Sequence, residues 1–70
     1  MISTTQRELI EKLAEIQDLS PGARFGELLA NLAFLVEDQT DQTIREVDDD
    51  RLMAVMNSHR RDLQRRLTDD

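Results

Sequence analysis

Apolar residues along this chain return at intervals of three and four, the period of a helix. Nowhere do they alternate with polar residues long enough to make a convincing strand. In the first stretch Leu9, Ile10, Leu13, Ala14 and Ile16 share one face. Thr5 and Glu8 there fit a reciprocal cap, in which hydroxyl and carboxylate each take a free backbone N–H of the first turn. Glu8 and Lys12 stand four apart in the favourable order for an ion pair. The spacing predicts a helix over residues 5–18. In the second stretch Phe25, Leu28, Leu29, Leu32, Leu35 and Val36 repeat at helical intervals. Ser20 suits the N-cap, and Pro21 suits the first helical position, where it has no N–H to leave unsatisfied. The predicted helix covers 20–37. In the third, Leu52, Val55, Met56, His59, Leu63 and Leu67 form a stripe behind Asp48, Asp49 and Asp50, whose carboxylates complement the positive end of a helix dipole. That helix is expected over 49–67. The polar segment between the last two, EDQTDQTIREVDD, reads as a loop pinned by Ile44 and Val47, with Thr43 and Glu46 spaced to cap one short turn. Links this short join antiparallel neighbours. The expectation is an all-α three-helix bundle, a small single domain over 1–70.

The second helix is expected to be the hub. Beside its large-residue face lie Ala23, Gly26, Ala30 and Ala33, a slim surface suited to close contact. A glycine inside a helix costs about 1 kcal/mol relative to alanine, a cost tolerated where another backbone comes near: the first helix, the third, or a second copy of the chain. Phe34 points away from the main apolar face at about 100° per residue. It is either covered by a loop or part of a partner surface. Arg24, Glu27 and Asn31 form a narrow polar stripe. The candidate interface is thus Phe34, Ala30, Gly26 and Ala23.

Length and composition sharpen this. Seventy residues make one domain at most, and a chain so short buries only about 60% of its unfolded surface, so its stability is marginal without reinforcement. No cysteine is present to supply a disulfide or a thiolate metal site, and a single histidine does not make a zinc site. Self-association is the remaining common route.

The formal net charge is −6, a field that repels phosphate. It is unevenly spread. Residues 1–50 carry twelve acids and four bases, whereas residues 51–70 carry three acids and five bases. Arg60, Arg61, Arg65 and Arg66 are therefore the one place to hold an anion, such as a phosphate of nucleic acid. The simpler account is that they complement the negative end of their helix and face solvent. A recognition helix commonly offers its N-terminal residues to the bases, and here that end carries three aspartates.

His59 lies within the apolar stripe, as a hydrogen-bonded histidine at a packing boundary rather than a catalytic base. The aspartate run lacks the glycine and ligand spacing of a calcium loop. No nucleophile–base pair, paired carboxylates or phosphate loop is visible. No enzyme activity, cofactor, metal or small-molecule substrate is expected. No apolar run approaches the roughly 20 residues that span a bilayer, and the start, MISTTQRELIEK, lacks the pattern of a signal peptide. The expected location is the cytoplasm.

At RFGELLANLAFL and VDDDRLMAVMNSHRRDL the chain resembles a scattered group of small, uncharacterised bacterial proteins. These share an R-F-G-x-L-x-x-N pattern, a polar loop, an acidic turn and a leucine-containing helix ending near a histidine. The likeness runs from Arg24 to about Leu63. It implies a bacterial, cytoplasmic, stand-alone protein and carries no activity or functional residue with it.

These observations converge on a non-enzymatic helical module that binds protein, as a homodimer or with another partner. The alternative is a small regulator touching nucleic acid through its C-terminal arginines.

Overall fold

The computed structural model describes residues 1–68. It holds three helices, α1 (Thr4–Leu19), α2 (Phe25–Thr40) and α3 (Asp49–Thr68), packed as a small all-α bundle. No described helix is long and apolar enough to cross a membrane.

The cap of α1 lies two residues earlier than Thr5. Ser3 is the N-cap: its Oγ accepts the Gln6 N–H at 3.1 Å, and its own N–H donates to Gln6 Oε1 at 3.1 Å. Two free donors of the first turn are satisfied in one exchange. Lys12 turns toward Glu15, 3.4 Å away, instead of Glu8. The same Glu15 carboxylate lies 3.5 Å from Arg60 Nε and so ties α1 to α3.

α2 begins at Phe25, five residues later than the Ser20–Pro21 reading places it. Ser20 caps the end of α1 instead, its N–H donating to Gln17 O at 3.1 Å, and Ala23 N–H donates to Ser20 O at 3.0 Å. Ser20-Pro21-Gly22-Ala23 is thus a tight turn with proline and glycine at its two central positions, which favour turn over helix. Gln17 locks it, donating through Nε2 to both Ser20 O (3.2 Å) and Ala23 O (3.1 Å).

At its other end α2 runs on to Thr40, past the predicted stop. Asp41 closes it in the left-handed region at φ 60°, which aspartate tolerates better than most residues. The following loop holds the expected turn: Thr43 Oγ1 accepts the Glu46 N–H and donates to Glu46 Oε1. Asp48 then caps α3, its Oδ1 accepting the Arg51 N–H at 2.8 Å.

Neighbouring residues fix the directions of the helices. Glu8 and Lys12 lie beside Met53 and Asn57, and Leu19 lies beside Gln64, so α1 runs parallel to α3. Thr40 lies beside Arg51 and Val55, so α2 runs back against both. The core consists of two adjoining clusters. Ile16, Leu28, Leu32 and Met56 make one, and Val36, Val47 and Val55 the other, with Leu52 packed against both.

α3 packs along both other helices, while the α1 and α2 backbones barely approach one another. The hub is therefore α3, and the expectation that α2 is the central helix is corrected. The reason lies in the turn at Ser20–Ala23, which sets the start of α2 aside from α1. The two then meet only through side chains laid over α3.

Candidate interaction surface

Because α1 and α2 are held apart, a groove opens between them with α3 as its floor. Leu9, Ile10 and Leu13 line one wall, Leu29, Leu32 and Ile44 the other, and Leu52 and Met56 the base, around about 150 Å³ of space. Ile10, Leu29 and Ile44 stand at its mouth, each exposed. Helical periodicity assigns Ile10 and Leu29 to the core faces, so the groove was not legible in the sequence. Its only trace there is that α1 and α2 each carry one more large apolar position than a third helix needs to cover.

The outer side of α2 continues this apolar surface. Leu29 and Phe34 lie about 140° apart around the helix axis, with Ala33, Gly26 and Ala30 between them in angle. Phe34 is 67% exposed and no loop covers it. Gly26 and Ala30 are exposed as well, and a Cβ built on Gly26 would meet nothing within 4 Å. No described helix makes the close approach that the glycine invites. Ala23 stands apart from the other three, half-buried in the turn before α2 with its carbonyl taken by Gln17. Asn31 is exposed on the flank beyond Phe34.

The four arginines do not act as one cluster. Arg60 is half-buried against α1 and engaged with Glu15, whereas Arg61, Arg65 and Arg66 are exposed. Among the described residues the ion pairs are Lys12–Glu15 and Arg60–Glu15. Glu27, Glu37 and Asp38 on α2 make none, and that helix contains no basic residue.

His59 sits half-buried at the edge of the core. Burial, and then the positive charge of Arg66, hold its pKa below 6.5, with Asp62 pulling the other way. No protein-family model, curated protein or solved structure matches the chain.

Proposed function

We propose that this chain is a non-enzymatic helical module that binds protein, in the first place a second copy of itself. The observation that carries the reading is that five of the eight exposed large apolar side chains among the described residues lie on α2 or beside it. Phe25, Leu29 and Phe34 lie on α2, and Ile10 and Ile44 on the groove beside it, each with a large part of its surface open to water. Contiguous apolar surface of this kind marks an interaction site, and an open groove between helices suits an amphipathic helix.

The size of the molecule points the same way. It exposes 5232 Å², more than the roughly 4,500 Å² typical of a folded monomer of this mass. A stable interface takes roughly 600–1,000 Å² from each copy, between a tenth and a fifth of what is exposed.

Light scattering over a concentration series tests the reading. The wild-type chain should pass from monomer to dimer, and Phe34→Ser should remain monomeric with an unchanged helical spectrum, because that side chain contributes little to the core. A wild type that stays monomeric throughout would remove the proposal.

The second reading, contact with a nucleic-acid phosphate through Arg61, Arg65 and Arg66, is supported by the exposure of those side chains. Against it stands the net negative charge of the whole chain. Titration with a labelled duplex at low salt, where screening is least, decides it: no change in anisotropy ends that alternative.

A further inference from the structure

The charges around the apolar side of α2 specify more than a partner; they specify its direction. α2 is acidic at its C-terminal end, where Glu37 and Asp38 are exposed and unpaired among the described residues. Arg24 stands exposed at its N-cap. α3 runs antiparallel to α2, and Leu19, just before the turn into α2, lies beside Gln64. The last turns of α3, with exposed Arg65 and Arg66, therefore sit at the N-terminal end of α2. At that end the arginines outnumber Glu27 of the first turn, at the other end Glu37, Asp38 and Asp41 outnumber Arg51, and the apolar side chains lie between.

We propose that two copies pair with their α2 helices antiparallel, so that Glu37 and Asp38 of each lie beside Arg24 and the terminal arginine turns of α3 in the other. This rests on the self-association proposed above and adds its geometry. A two-fold pairing of this kind is self-complementary, since every contact is made twice. With the crossing near Ala30, residues seven and eight places after it on one copy fall level with residues 22–23 of the other, next to Arg24. Gly26 and Ala30 let the two helices come close, Phe34 packs across the junction, and the opposed helix dipoles agree with the arrangement. A parallel pairing would place acid on acid at one end and arginine on arginine at the other, and like charges set together across an interface suppress such an alignment.

Charge reversal on each end, alone and mixed, gives the test. Glu37→Lys with Asp38→Lys makes one variant, and Arg24→Glu with Arg65→Glu makes the other. Every altered side chain is exposed, so circular dichroism should show both folded. Each variant alone should dimerise at least about tenfold more weakly than wild type. An equimolar mixture should regain a dimer, because both junctions then join acid to base, and tagged copies should show it to contain one of each. Added salt should weaken the wild-type dimer as the charges are screened. A wild-type dimer that ignores either reversal, or reversals that mixing fails to rescue, would overturn the antiparallel arrangement and leave self-association standing. A wild type that never dimerises would remove both.

Discussion

Gly26 occupies the second position of α2 with open solvent where a side chain would be. Its backbone is helical and its φ is not positive, so nothing in the isolated fold requires glycine there. Replacing it with alanine removes freedom from the unfolded chain at no steric cost. Gly26→Ala should therefore stabilise the dilute monomer by about 0.5 kcal/mol, seen as a raised thermal midpoint.

His59 works in the opposite sense. Burial and Arg66 favour its neutral form, so the native state holds fewer protons on this residue than the unfolded chain does. The stability it provides is complete above its unfolded value of 6.5 and is lost as pH falls through the lowered folded value. The thermal midpoint should drop between about pH 7.5 and pH 5.5, and His59→Gln should flatten that slope. An equal slope in the variant would place the titration elsewhere.

The helices themselves are written plainly in the spacing of apolar residues, and the capping aspartate at 48 and the Thr43–Glu46 turn are legible from local chemistry. Two things were not. The start of α2 was decided by Gln17, a side chain on another helix, whose amide holds the Ser20–Ala23 turn. Ser-Pro on its own fits a helix start equally well. The identity of the hub was hidden because periodicity shows that a helix has an apolar face and not how many neighbours share it. α2 has the richest apolar pattern, yet Phe25 is 53% exposed and Leu29 41%.

α3, charged at both ends, presses Met56 against α1 and α2 and Val55 against α2 and the loop after it. Truncation should read this difference directly. Met56→Ala, at 3% exposure, should cost about 2–5 kcal/mol, enough to unfold much of a domain this small. Phe25→Ala, although it removes more atoms, should cost the monomer less than about 1 kcal/mol. Chemical denaturation of the two variants at low concentration gives the comparison.

At the scale of the whole molecule, the bundle covers part of its apolar surface and leaves a connected remainder along α2 and the groove. Exposure was legible in the sequence where a residue broke the pattern of its own helix, as Phe34 and Gly26 do. It was not legible where exposure depends on how far two helices stand apart, as it does for Ile10 and Leu29. Surface ion pairs contribute only about 0–1 kcal/mol each, so charges around such a surface orient a partner while apolar contact supplies most of the affinity. That division explains why Phe34, and not an arginine, is the side chain on which association should depend.

The chain contains two phenylalanines, both on α2, so fluorine-labelled phenylalanine gives one resonance on the proposed contact and a second, from Phe25, on the opposite side of the helix. Diluting the labelled protein from about 1 mM to 1 µM should move the Phe34 signal between two limits with the same midpoint as the change in sedimentation. A Phe34 signal that keeps one position across that range, in a protein that sediments as a monomer throughout, would contradict the account.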